Sequence, residues 1–186
     1  MRIAVLALQG AFIEHEHALN DVGAECFEIR ELSDLKKDFD GLVLPGGEST
    51  VQGKLLNDLG LMKPLYERIK AGMPVLATCA GLILLASELE NDSARYFGTL
   101  PVTVRRNAYG RQLGSFSTVD NYDGIGRIPM TFIRAPVIVR VSPEVKVCAK
   151  VDDRIVGVEY QNQIALAFHP ELDQDRSIHK RFVSLV

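Results

Sequence analysis

The first half of the chain alternates short apolar runs with segments of helical periodicity, and this alternation constrains the fold more than any other feature. Residues 2–8 are a continuous β-prone run, as a strand covered on both faces requires. Residues 12–22 have helical character, with Phe12, Leu19 and Val22 as anchors and Gly23 as the stop. Residues 25–29 and 41–44 read as the second and third strands. Pro45-Gly46-Gly47 then breaks the chain, and Ser49 or Thr50 is placed to cap a helix through Leu59. A helix over 62–71, a strand over 74–78 and a helix over 80–89 complete the series. Such repetition predicts an α/β fold: an open, mainly parallel sheet flanked by helices.

The second half changes character. Seven short β-prone segments, at 102–106, 114–119, 131–133, 137–141, 145–151, 155–160 and 163–168, are separated by turn residues such as Asp123-Gly124 and Asp152-Asp153. They predict an antiparallel extension, some of it joining the main sheet. A last helix is expected over 175–185, with His179 exposed on it. No repeat or linker interrupts residues 1–186, which read as one domain.

Composition narrows the function classes. With 47% hydrophobic and 24% charged residues, a chain of this length can build a core without disulfide or metal staples. A net charge of −3 and a pI near 5.8 argue against a general nucleic-acid binder. No apolar run approaches the roughly 20 residues of a membrane helix. The start reads as a buried strand and not as a secretory leader. Cys26, Cys79 and Cys148 lie far apart, without a C-x-x-C pair, so neither a zinc site nor a disulfide framework is expected. A reducing cytoplasm is the expected compartment. His15 and His17 are two apart on a helix and do not share a face, so no metal site is expected there.

Three segments carry chemistry. In Pro74-Val-Leu-Ala-Thr-Cys79-Ala80-Gly81 a buried strand runs directly into a helix, with a nucleophile at the junction. A tight strand-to-helix turn holds such a group proud of the sheet, and the helix N-terminus favours a thiolate. The competing reading is a small core cysteine. In Phe168-His169-Pro170-Glu171 an extended backbone would place the imidazole and carboxylate side by side. With Cys79 they make nucleophile, general base and orienting acid; alone they are a surface turn. Leu44-Pro-Gly-Gly47-Glu48-Ser49-Thr follows the third strand, where open sheets build sites. A backbone N–H there, with that of Ala80, can form an oxyanion hole. No Gly-Lys-Ser/Thr follows, so this is not a P-loop.

These three segments together resemble class I (triad) glutamine amidotransferases, whose flavodoxin-like fold is then the expected architecture. Leu6-Ala-Leu-Gln9-Gly10, Glu14-His15-Glu-His17, the 105–116 segment that begins Arg105-Arg106-Asn107, and Phe132-Ile133-Arg134-Ala-Pro136 further resemble one branch of that family, the glutaminase subunits of pyridoxal 5'-phosphate synthases. The similarity spans nearly the whole chain. It implies hydrolysis of L-glutamine to L-glutamate and ammonia, the ammonia passing to a separate synthase subunit, with no cofactor. It implies Cys79 as nucleophile with His169 and Glu171 completing the triad. Gly47, Glu48 and Ser49 match the glutamine-binding loop, Arg106 the substrate-binding arginine, and Ile133-Arg134 a second binding element. Gln9-Gly10 matches a loop near the oxyanion hole and the partner. The partner is expected along the C-terminal edge of the parallel strands, near Gln9 and the first helix with His15 and His17. Arg105, Arg106 and Arg111 then suit glutamine or a partner better than nucleic acid. Ala77 departs from the pattern, in which glycine often precedes the cysteine by two positions. The same triad also suits a γ-glutamyl peptidase, and the scaffold a non-catalytic regulatory subunit.

Overall fold

A computed structural model describes residues 1–90, 92–108 and 115–186. Arg111, Gly114 and the rest of 109–114 lie outside the described residues. The strands are β1 (Arg2–Leu6), β2 (Glu25–Ile29), β3 (Gly41–Leu44), β4 (Val75–Thr78), β5 (Ala86–Leu89), β6 (Leu100–Arg105), β7 (Ser115–Tyr122), β8 (Gly126–Ile133), β9 (Val137–Val141), β10 (Lys146–Val151), β11 (Arg154–Tyr160) and β12 (Gln163–Leu166). The helices are α1 (Phe12–Asn20), α2 (Ser49–Asp58), α3 (Met62–Lys70), α4 (Ala80–Leu85) and α5 (Ser177–Val183).

The parallel half runs β2-β1-β3-β4-β12. Its central strands are sealed on both faces: Ile3, Leu6, Leu42, Leu44, Val75, Ile164 and Leu166 are all fully buried. Each such side chain contributes about 1.5–3 kcal/mol on burial, which explains the unbroken apolar runs. β12 turns back into the antiparallel β11, and the sheet continues through β10 and β7 to β8. A branch from β11 leads through β9 and β6 to β5. The antiparallel extension is therefore present and joined to the main sheet.

Two expectations are corrected. The helix expected over 80–89 stops at Leu85; Ala86 turns extended, with ψ 136°, and 86–89 become β5. Pairing with β6, Ala86 opposite Leu100 and Leu89 opposite Val104, overrides a helix-compatible sequence. His179 is not exposed but fully buried, because Ile178, His179 and Phe182 form the inward face of α5.

The parallel strands β1, β3, β4 and β12 are successive neighbours, with Leu44 opposite Ala77 and Thr78 opposite Leu166. The chain thus leaves four adjacent strand ends at one edge of the sheet. The residues just beyond them are Gln9-Gly10, Gly46-Gly47, Cys79 and His169. No helix among the described residues is long and apolar enough to cross a membrane.

Candidate active site

Cys79 occupies the turn between β4 and α4 at φ 48°, ψ −98°. A left-handed φ is costly for a residue with a Cβ and survives only where its surroundings enforce it. Here the Cys79 N–H donates to Leu166 O at 2.8 Å, pinning the turn to β12. At Gly81 a Cβ would collide with Leu44 O, so the helix can approach β3 only with glycine there. Ala77 is fully buried and paired with Leu44 and Ala165, and the turn closes with alanine at that position. Cys79 lines a cleft of about 250 Å³. Cys26 and Cys148 do not line it. Burial, reinforced by Glu16 and Glu25, pushes the Cys26 thiol up to about 11; burial also pushes Cys148 up.

His169 Nδ1 lies 2.7 Å from Glu171 Oε1, and the side chains are 8% and 0% exposed. Burial opposes a charge on His169, but hydrogen bonds with Cys79 and Glu171 outweigh it and push the imidazole up to about 10. Burial likewise pushes Glu171 up, yet His15 and His169 prevail and hold its carboxyl below the usual range. Glu171 and Cys79 thus both favour the protonated imidazole. The expected pairing is thus present, but the route differs from an extended segment. Pro170–Leu172 is a single 3-10 turn with proline at its first position, where a missing N–H costs nothing. The His169 N–H donates to Thr131 O at 2.8 Å, tying the segment to β8.

Gly46 explains the glycine loop most directly. A Cβ there would run into the His169 ring, so the loop packs flat against the imidazole. Gly46→Ala is expected to displace the ring and lower kcat about 10²-fold, the scale of an ångström-level misplacement. Unchanged kcat by steady-state assay would show that the ring tolerates the methyl.

The remaining candidates converge on the same cleft: Gln9, Gly10, Gly47, Glu48, Ser49, Arg106, Ile133 and Arg134 all line it. Ala80 lies behind Cys79 and is 1% exposed, and Glu171 backs His169. Ile133 O is 4.0 Å from Cys79 Sγ. Arg134 Nη2 faces Glu48 Oε1 at 3.8 Å across the mouth, both side chains well exposed. Ala108 N–H donates to Ala135 O at 3.1 Å, which draws the Arg106 and Arg134 segments together. Arg106 donates to Thr50 Oγ1 and Tyr96 Oη, each at 3.3 Å, and approaches Asp92 at 3.4 Å. Its buried Nε lacks a hydrogen-bond partner among the described residues. An unpaired guanidinium donor in a cleft is suited to a carboxylate. Asn107 at φ 48° and Thr50 also line the cleft, as does Ile83 from α4. The sequence does not mark these three as cleft residues: Thr50 ends the glycine-loop segment and Asn107 stands beside Arg106 in the 105–116 segment, whereas Ile83 carries no signal.

His15 and His17 part company: His15 is fully buried, whereas His17 is exposed. Of the two histidines only His17 can itself reach a partner, because α1 turns residues 15, 18 and 19 inward as one face.

Comparison with known proteins follows the same lines. The family model for SNO glutamine amidotransferases matches residues 5–186. The chain belongs to that family. It is 62% identical over 186 residues to "Pyridoxal 5'-phosphate synthase subunit PdxT" of Desulfitobacterium hafniense (strain DSM 10664 / DCB-2), covering 100% of this chain and 94% of that one. Identity to the protein of the same name from Methanocorpusculum labreanum is 56%, covering 100% and 98%. A crystal structure of a glutamine amidotransferase superposes with a TM-score of 0.93 at 39% identity, covering 98% of this chain and 97% of the other.

In this member of the SNO glutamine amidotransferase family, the first two loops are zipped together. Gln9 Oε1 accepts from Glu48 N–H at 2.7 Å, Gln52 Nε2 donates to Gln9 O at 2.8 Å, and Ala11 N–H donates to Gly46 O at 3.1 Å. Gly10 sits at φ 106°, and a Cβ there would collide with Gly46 O. Gly46 N–H donates to Thr78 Oγ1 at 3.0 Å. The amides on either side of Gly47 are thus already committed.

Proposed function

We propose that this chain hydrolyses L-glutamine to L-glutamate and ammonia as the glutaminase subunit of a pyridoxal 5'-phosphate synthase, with Cys79, His169 and Glu171 as its triad. The observation that carries the reading is that Cys79 and His169 line one cleft, with Nδ1 of His169 2.7 Å from the buried carboxylate of Glu171. Cys79 Sγ attacks the carboxamide carbon of glutamine, and the oxygen gains the negative charge. Backbone N–H groups of Ala80 and Gly47 are the donors for that oxyanion. The C–N bond breaks as His169 gives its proton to the leaving ammonia, which leaves a γ-glutamyl thioester. Water, losing a proton to His169, attacks the thioester and releases glutamate and the free thiol. Arg106 holds the substrate carboxylate and Glu48 its ammonium, with Ser49, Ile133 and Arg134 shaping the remainder of the cleft. Chemistry of this kind uses the thiol and fixed donors, without a cofactor or metal. Residues 1–186 act as one domain in the cytoplasm, where free Cys26, Cys79 and Cys148 remain reduced.

A synthase subunit receives the ammonia and switches the site on. Ammonia released into water is protonated and lost as a nucleophile, so firing only in the complex is advantageous. The zipped Gln9–Gly10 loop is the candidate switch. The exposed Ile13, 50% accessible, and His17 supply the nearby docking face on α1. Completing an oxyanion donor on docking is worth roughly 10²–10³ in rate. The test is a glutaminase assay on the purified chain with and without added synthase subunit. Equal rates, at concentrations where the complex demonstrably forms, would refute the switch.

A further inference from the structure

Behind Glu171 lies a second buried imidazole that the hydrolysis as described does not use. His15, on α1, is fully buried. Its Nε2 is 3.3 Å from Glu171 Oε2, the carboxylate oxygen that His169 leaves free. That oxygen has no well-aligned hydrogen bond among the described residues. The same Nε2 lies 3.1 Å from Thr78 Oγ1, which accepts the Gly46 N–H. On the other side, His15 Nδ1 lies 3.2 Å from Nε2 of His179, also fully buried.

We propose that His15 is a positioning residue for the hydrolysis. It holds the second oxygen of Glu171 and, through Thr78, the glycine loop, while His179 behind it fixes which ring nitrogen carries the proton. The proposal rests on the triad reading given above.

The proton arrangement follows from elementary rules. An ionised carboxylate only accepts, so the nitrogen facing Glu171 must carry hydrogen. Burial drives His15 towards its neutral form, against the pull of Glu171, so its Nδ1 is then a bare lone pair. That lone pair needs a donor, and His179 Nε2–H is the ring nitrogen beside it. His179 is held neutral by burial, with His15 and Arg176 acting in the same direction. Its Nδ1 is then an acceptor, and this atom is buried without a hydrogen-bond partner among the described residues. A vacant lone pair is the lesser of the two possible orphans, since under-satisfied acceptors are commoner than unpaired donors. The result is one directed arrangement: His179 donates to His15, the His15 Nε2–H sits between Thr78 Oγ1 and the second oxygen of Glu171, and His169 donates to the other oxygen. Fixing both oxygens stops the carboxylate from rotating away from the imidazole. It also links the triad to the first helix, directly after the Gln9–Gly10 loop.

The charged groups around this chain are His169 and Asp173 beside Glu171, Glu14 on α1, and Arg176 ahead of α5. Removing His15 takes a stabilising donor from the Glu171 anion, so the carboxyl protonates at higher pH. The acid limb of kcat/KM then moves upward.

The experiment uses the full chain with its synthase subunit and compares His15→Leu with His15→Gln, whose amide can restore the donor. His15→Leu is expected to lower kcat by about 10-fold or more, the scale on which outer partners of site ligands act. KM should change little and the acid limb should shift upward, with His15→Gln recovering most of both. A folded His15→Leu protein with wild-type kcat and acid limb would overturn the proposal, as would a Gln variant no better than Leu. Nitrogen-15 NMR of the unmutated chain gives an independent reading that survives any folding failure. An Nε2–H tautomer at His15 is expected, and an Nδ1–H tautomer would contradict the chain. Cys79→Ala in the same assay separates the levels. Its activity would sink the triad, whereas a dead Cys79→Ala beside a normal His15→Leu sinks only the present inference.

Discussion

Cys79→Ala should abolish glutamine hydrolysis and thioester formation, while Cys26→Ala and Cys148→Ala retain activity. In a nucleophile–base–acid unit, loss of the nucleophile removes several orders of magnitude in kcat, because the other members act only through it. The three cysteines differ in physical setting. Cys79 alone is held at φ 48° on a strand-to-helix turn, against the charged His169 and at the wall of the cleft. Cys26 is half-buried in β2 with its thiol pushed up to about 11, and Cys148 is buried in β10. Mass spectrometry after treatment with a glutamine-like electrophile offers a second check: one adduct at Cys79 is expected. Wild-type turnover by Cys79→Ala, or labelling confined to another cysteine, would remove the nucleophile from the scheme.

The legible part of this site was the part encoded locally. The parallel strands announce themselves because strands buried on both faces need continuous apolar runs, and Glu25–Ile29 and Gly41–Leu44 begin and end where the sequence places them. Cys79 was legible because a strand-to-helix turn with small neighbours is a short-range pattern. Helix α4 ends at Leu85 against its local pattern, since the partner that extends Ala86–Leu89 is β6, a separate segment of the chain. The burial of His179 is hidden from the sequence for a related reason. A seven-residue helix carries too little periodicity to tell which face meets the sheet, and the face is set by contacts with α1 and the core. The pairing of His169 with Glu171 is legible from their spacing, but the backbone that brings it about is not. The 3-10 turn at Pro170 places them together where the sequence suggests an extended segment. The His15 contact with Glu171 spans two elements far apart in the chain, so only the folded structure can reveal it.

His169→Asn is expected to damage turnover more than Glu171→Gln, with each loss reaching several orders of magnitude. In the proposed scheme His169 moves protons in both halves of the reaction, whereas Glu171 orients the ring and stabilises its charge. The pH profile separates these roles. With the wild-type imidazole held up to about 10, proton donation to leaving ammonia should persist through the neutral range and fail only as pH rises through that value. Two hydrogen bonds hold it there against burial, one of them donated by His169 to Glu171. Glu171→Gln replaces the anion with a neutral amide, so burial gains ground and the imidazole titrates lower. The basic limb of kcat should therefore move down towards neutrality, in addition to the fall in maximal rate. The contribution to stability has the same sign. A raised histidine pKa favours the fold below the unfolded value, and that stability is lost as pH rises from there through about 10. Glu171 acts in the opposite direction. Its lowered pKa supplies stability above the ordinary carboxyl range, lost as pH falls through the folded value. In Glu171→Gln both contributions shrink, so thermal melts should show a smaller pH dependence at each end. A Glu171→Gln enzyme with the wild-type basic limb, measured with the synthase subunit present, would mean that the carboxylate does not hold the imidazolium.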